Sequence, residues 1–312
     1  MSNFKLITPV AFIIFNRPDT TELVFAEIAK AKPPKLLVVA DGARPNKIGE
    51  AEKVAATRAI IQRVDWDCEV LTNYSEVNLG CKVRVSSGID WVFEQVEEAI
   101  ILEDDCLPDP TFFRFCQEML ECYRDDQRIG MISGDNFQFG QTRNNDSYYF
   151  SKYVHIWGWA TWHDRWQNSY DIELKKWPVV RDGDWLKDMV VTKDEMSYWA
   201  KVYQRIYDRR IASCWDYQWV FANWVESRKS VVPSVNLISN IGFAREDATH
   251  TTIITDEANI PTCPMIFPLL HPSLMVVNQK ADEFEYRKFI SQTIYRRILN
   301  KVKRILKSLV QT

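Results

Sequence analysis

Apolar residues gather along this chain in short dense runs that stop at polar or turn residues. Residues 9–15 (PVAFIIF), 36–40 (LLVVA) and 99–102 (AIIL) are nearly all apolar, a pattern that suits parallel strands buried on both faces. Between them lie stretches that read as helices: Thr20 to Ala31, Ile48 to Val64, and Val83 to Glu98, the last with apolar residues at 85, 89, 92, 93 and 96. Strand, helix, strand, helix predicts an α/β fold with a doubly wound sheet. A shorter run, IGMISG at 129–134, adds a further strand ending at Asp135 and Asn136.

In such sheets ligands sit beyond the carboxyl ends of the strands. Asn16-Arg17, Asp41-Gly42 and Glu103-Asp104-Asp105 each directly follow one of the first three strands, so the three polar clusters are expected to meet at one edge. The second half of the chain differs. Ten of its twelve tryptophans fall between Trp157 and Trp224. Gly242, Asp247 and the run Thr249-His250-Thr251-Thr252 then predict an irregular loop, with Gly242 a hinge that lets residues 245–252 fold over a ligand.

With 312 residues, 46% hydrophobic and 26% charged, the composition is that of a globular chain with room for a large core. The first apolar run lacks a basic flank followed by a cleavable small-residue site, so it reads as a strand and not as a signal peptide or membrane span. Seven cysteines, odd in number and never spaced C-x-x-C, predict reduced thiols in a cytoplasmic chain; the four histidines form no zinc-ligand spacing.

Charge divides the chain. From Arg287 to Thr312 there are eight Lys or Arg and no Asp or Glu, so the net charge of −3 belongs to an acidic body with a basic tail. An acidic body excludes nucleic acid as its main partner. In the tail, apolar residues at 290, 294, 298, 302, 305 and 309 share one helical face and basic residues line the rest. Such a helix over residues 286–312 can lie on an anionic membrane, dock on the acidic body, or pair with its own copy in a homodimer.

The acids at 103–105 carry the chemistry. Three adjacent carboxylates oppose one another's ionisation. They close a hydrophobic strand, and Pro108 and Pro110 stop that strand from continuing. A divalent cation would neutralise such a cluster, and oxygen-only ligands select Mg²⁺ or Mn²⁺, which take one or two carboxylates together with substrate phosphates and water.

The segment ILEDDCLPDPTFF (101–113) resembles the metal-binding acidic motif of GT-A fold nucleotide-sugar glycosyltransferases, in the form seen in the eukaryotic N-acetylglucosaminyltransferase I group and related to family 2-type bacterial enzymes. NLGCKVRVSSGIDWVF (78–93) is similar to the Asn-x-Gly segment and following helix of inverting GT-A enzymes, and CWDYQW (214–219) to that group's Trp-Asp-Asp-Trp stretch. The resemblance covers roughly residues 9–255. It implies a GT-A fold: residues 1–105 as the nucleotide-sugar-binding half of one domain, 106–280 as the acceptor and catalytic half, and 281–312 as the basic C-terminal helix.

The resemblance further implies roles for particular residues. Asp105 would ligate the metal that bridges the donor diphosphate, with Asp104 near the ribose and Glu103 near the transferred sugar. Asp41 would approach the nucleobase, and Arg84 the base or the diphosphate. Asp216 matches the general base. Asn16 and Arg17 follow the first strand and are either donor contacts or simply its turn. Trp157, Gly158 and Trp159 are either core or a wall of the sugar pocket. Arg245 and His250 are either solvated loop residues or lie near the diphosphate. The donor would be a UDP-sugar and the acceptor a glycan or lipid-linked saccharide, met in the cytoplasm or on the inner face of the plasma membrane. A module that binds nucleotide sugar or glycan without transferring it is the alternative from another class.

Overall fold

The structure is a computed structural model, and it describes residues 4–143, 145–211, 213–243, 245 and 256–291. These form two compact units, the first drawn from Met1–Ile172 and Ser213–Val277, the second from Glu173–Ala212 and Asn278–Thr312. The expected half 1–105 lies in the first unit, and the expected half 106–280 is divided between the two, since Glu173–Ala212 belongs to the second.

The first unit opens with β1 (Val10–Ile14), α1 (Pro18–Ala31), β2 (Lys35–Ala40), α2 (Glu50–Ile60), β3 (Glu69–Tyr74), α3 (Gly80–Gln95) and β4 (Glu98–Glu103). After these come β5 (Cys106–Pro108), α4 (Thr111–Tyr123), β6 (Ile129–Ser133), β7 (Tyr148–Ser151), β8 (Trp159–Trp162) and α5 (His163–Gln167). Within the second unit, α6 (Trp177–Asp182), α7 (Leu186–Met189) and α8 (Lys193–Tyr207) follow, and α10 (Gln279–Glu285) leads into a π-helical turn at Tyr286–Ser291. The first unit is completed by α9 (Asp216–Val225), β9 (Lys229–Pro233) and β10 (Ile238–Asn240).

Eight strands form one sheet in the order β3-β2-β1-β4-β8-β6-β9-β7. β1 pairs parallel with both β2 and β4, while β8 and β7 run against their neighbours. The sheet is therefore mixed and mostly parallel, with helices on both faces, an arrangement compatible with a Rossmann-like fold. β5 and β10 make a separate antiparallel pair.

Because side chains alternate across a strand, the all-apolar strands feed two cores. Val10, Phe12 and Ile14 of β1, with Ile100 and Leu102 of β4, join α1 and α4 on one face. Ala11 and Ile13, with Ala99 and Ile101, meet α3 and the indoles of Trp159, Trp166, Trp215 and Trp219 on the other. This parity decides where each polar residue beyond a strand end will point.

The seven cysteines are free thiols: Cys106, Cys116 and Cys214 are buried, and Cys122 and Cys263 are exposed. Among the described residues no helix is long and apolar enough to cross a membrane. Most of the basic tail, residues 292–312, lies outside the described residues, so its expected helix does too.

Candidate functional site

In the order β3-β2-β1-β4 the carboxyl ends of β1, β2 and β4 are neighbours. Asn16-Arg17, Asp41-Gly42 and the acids at 103–105 accordingly lie along one edge, as the strand pattern predicts. β6 is parallel to β4 across the intervening antiparallel β8, which brings Asp135 and Asn136 to the same edge.

The three consecutive acids face different surroundings. Asp104, the even position, turns toward the α1 face, where its Oδ2 accepts the Phe15 backbone N–H at 3.0 Å. Glu103, the odd position, falls on the face of α3 and the indoles. Burial, reinforced by Asp105 and Asp104, pushes its carboxyl up to about 8. Asp105 is gripped by Arg17, whose Nη1 donates to Oδ2 at 2.6 Å and stands 3.6 Å from Asp104 Oδ1. The backbone fixes Asp105 as well: its carbonyl accepts the Ile241 N–H at 2.8 Å. Gly242 then lies so close that a Cβ there would sit 2.1 Å from Asp105 Oδ2.

Asp216 is the first residue of α9, directly after the buried Trp215. Its position relative to the acids shows in the groups that feel its charge. Burial raises the Cys81 thiol, and Glu103, Asp216, Cys214 and Asp105 all add to that rise in the order given. Cys214, pushed up to about 12 by burial and then by Asp216, belongs to the same cluster. Asp216, Glu103 and Asp105 all lie within electrostatic reach of Cys81, which the sequence did not single out. Trp215 stacks on Trp159 with ring centres 6.0 Å apart, and Trp159 also packs on Trp166 and Trp219. Tryptophan packing thus sets where α9 begins.

Several candidate residues are held by other parts of the chain. Asp41 does not reach out toward a nucleobase: it anchors the start of α3, its carboxylate accepting the backbone N–H groups of Gly42, Leu79 and Gly80 at 2.9 Å each and the Asn78 amide at 3.0 Å. A carboxylate at a helix N-terminus satisfies orphan donors and meets the positive end of the dipole. Arg84 is buried and turned to Asn73, donating to its backbone carbonyl at 2.7 Å and its Oδ1 at 2.8 Å, and burial lowers its pKa. Trp159 is core, 1% exposed, and not a pocket wall. The middle residue of that trio, Gly158, has φ +73°, and a Cβ there would meet Ile238 Cδ1 at 2.4 Å.

Trp157 is half-buried, set edge-on to Phe137 and Phe243 at 5.4 and 5.5 Å, with its N–H given to Asp135 Oδ2 at 3.0 Å. It remains at the site edge, beside the segment of Gly242. Arg245 forms a two-pronged ion pair with Asp19 in the first turn of α1, at 2.7 and 3.1 Å, in place of the expected diphosphate position. That contact holds the Asp19 carboxyl below its usual range. His250 lies outside the described residues.

Glu50 is a further residue the sequence did not reveal. It is buried, accepts the Asn16 amide at 2.9 Å and pairs with Arg44, whose hydrogen bonds hold its carboxyl low. Asn16 is thereby fixed from α2.

Among the described residues no group of three or more His, Cys, Asp or Glu side chains is placed to hold a metal ion. The donor set nonetheless fits one kind of ion. Asp105 offers a single carboxylate at the end of a strand, with Gly242 packed directly against its Oδ2. One or two carboxylates completed by phosphate oxygens and water is the coordination that Mg²⁺ and Mn²⁺ accept.

A scan against models of protein families finds no match, and a search of curated proteins finds no relative of this chain.

Proposed function

We propose that this chain is a GT-A fold, metal-dependent, inverting glycosyltransferase that moves a sugar from a nucleotide-sugar donor, in particular a UDP-sugar, to a hydroxyl of a glycan or lipid-linked acceptor. The observation that carries the reading is that Cys81 feels the charges of Glu103, Asp216 and Asp105 together, although positions 105 and 216 lie far apart in sequence. A fold of this class hosts many reactions, so the reading stands on the site.

Asp105 would hold Mn²⁺ or Mg²⁺, with Asp104 behind it steadied by the Phe15 amide. When bound, the ion offsets the negative charge that builds on the leaving diphosphate. Asp216 takes the proton from the acceptor hydroxyl at its oxygen, that oxygen attacks the anomeric carbon, and the bond to the diphosphate breaks on the opposite face. One carboxylate suffices because a single displacement inverts the centre. Glu103, whose carboxyl burial pushes up to about 8, would face the transferred sugar. Trp157 supplies an aromatic edge to the pocket.

The test is a pair of variants assayed for both binding and turnover. Asp105→Ala removes Mn²⁺-dependent UDP binding in calorimetry, whereas Asp216→Asn keeps that binding and lowers transfer or donor hydrolysis by at least a hundredfold. UDP binding with no turnover by the wild-type chain across a broad acceptor panel would instead identify a binding module.

A further inference from the structure

The ion pair between Arg17 and Asp105 occupies the oxygen that a divalent cation would use. Arg17 Nη1 and Asp105 Oδ2 are 2.6 Å apart, and each side chain is 13% exposed, so solvent screens the pair little. The same guanidinium stands 3.6 Å from Asp104. In this state one arginine supplies the positive charge that holds two of the three acids together.

The backbone of residue 17 is pinned on both sides. Its carbonyl accepts the Thr21 N–H at 3.0 Å and the Thr21 hydroxyl at 2.7 Å, and Pro18 opens α1 directly after it. Asn16 before it is tied to Glu50. Any movement of the charge is therefore a rotation of the long side chain about a fixed root. A guanidinium and a divalent cation repel each other, so an ion arriving on Asp105 weakens the hold of the guanidinium there. After displacement the guanidinium is still within a side chain's length of Asp105, and its planar fork suits phosphate oxygens.

We propose that Arg17 is a built-in counter-cation: a divalent ion displaces it from Asp105, and the displaced guanidinium then binds the phosphate oxygens of the nucleotide that completes the ion's coordination. This rests on the metal reading of Asp105 given above. It makes ion and nucleotide binding mutually reinforcing, because the phosphate receives the charge that the ion expels, and by linkage each ligand raises the affinity for the other by the same factor.

The experiment titrates Mn²⁺ into the metal-free full chain, reading free Mn²⁺ by electron paramagnetic resonance, with and without saturating UDP. Arg17→Gln binds Mn²⁺ on the order of tenfold more tightly than wild type when UDP is absent, since no internal cation competes. The gain in Mn²⁺ affinity that UDP brings shrinks by a similar factor in this variant. Arg17→Lys, which keeps a cation, stays within about threefold of wild type for Mn²⁺ alone. Equal or weaker Mn²⁺ binding by Arg17→Gln, Arg17→Lys binding as tightly as Arg17→Gln, or an undiminished effect of UDP overturns the counter-cation role while leaving the metal site standing. Wild-type and variant chains that all fail to bind Mn²⁺ overturn the metal reading itself. A measurement on the wild-type chain guards against a misfolded variant. The ¹⁵N-labelled guanidinium resonance of Arg17 shifts on adding Mg²⁺ and again on adding UDP, and a resonance indifferent to both overturns the proposal.

Discussion

Replacing Gly242 with alanine exchanges one hydrogen for a methyl group, and it should disturb one residue. The backbone there is not in the left-handed region, so alanine carries no conformational penalty of its own. Its Cβ, however, would meet Asp105 Oδ2 at 2.1 Å, Cγ at 2.8 Å and Cβ at 2.9 Å. Ordinary contact begins at 3.4 Å, so the oxygen must retreat by about 1.3 Å. That oxygen is the one that accepts Arg17 Nη1. A hydrogen bond to a charged partner contributes about 1.5–3 kcal/mol, and the pair is largely buried, so the variant should lose roughly that much stability. For a unit of this size the melting temperature should fall by about 3–10 °C. Mn²⁺-dependent UDP binding, which needs the carboxylate in place, should weaken at least tenfold, because displacements near 1 Å disrupt a positioned site. The decisive control is the same change in an Asp105→Gly background, where no atom of the side chain at 105 remains to clash. There Gly242→Ala should be neutral within about 0.5 kcal/mol. If the alanine variant melts with wild type and binds UDP equally well, or destabilises both backgrounds alike, the contact between Gly242 and Asp105 does not govern the site.

Two other predictions follow from the same geometry. Gly158→Ala combines a φ of +73° with a Cβ 2.4 Å from Ile238, and should destabilise by about 2–5 kcal/mol in urea denaturation whether or not ligand is present; a loss below 1 kcal/mol refutes that account. Glu103 ordinarily titrates near 4.5 and is pushed up to about 8 in the folded chain, chiefly by burial. Between those values the unfolded chain has released the proton and the folded one keeps it, so this group's contribution makes metal-free stability fall as pH rises through the window and level off above it. The Glu103→Gln variant should lack that slope, and equal slopes for the two proteins would show that Glu103 is not shifted.

The parallel half of the sheet could be read from the sequence because β1, β2, β4 and β6 are buried on both faces, and double burial leaves no polar position to blur the pattern. β3 escaped for the converse reason: it is an edge strand, EVLTNY, half-exposed and partly polar. α4 has a strong helical pattern in Phe112, Phe113, Phe115, Cys116, Met119 and Leu120, but it begins directly after the prolines that close the acidic motif, where the reading stopped at a turn. At the site, strand order alone predicted that residues 16–17, 41 and 103–105 would meet. Which way each side chain turns depended on partners from distant segments. Asp41 and Arg84 were expected to serve a ligand; in the fold the backbone N–H groups of Leu79 and Gly80 and the Asn78 amide donate to Asp41, and Arg84 donates to Asn73. Glu50 and Gly242 carry no local mark of their contacts, since each acts through a residue that only the tertiary fold brings near.

Trp215, the residue before Asp216, leans against an indole of the sheet at an interplanar angle of 24°. Indoles held at fixed mutual angles give a near-ultraviolet circular dichroism signal that disappears once they rotate freely. Since Trp215 directly precedes the carboxylate at 216, that optical signal gauges the fraction of molecules whose proposed base is in register. Where mild denaturant loosens the rings before the backbone melts, turnover should fade with the dichroism of the rings and not with that of the helices.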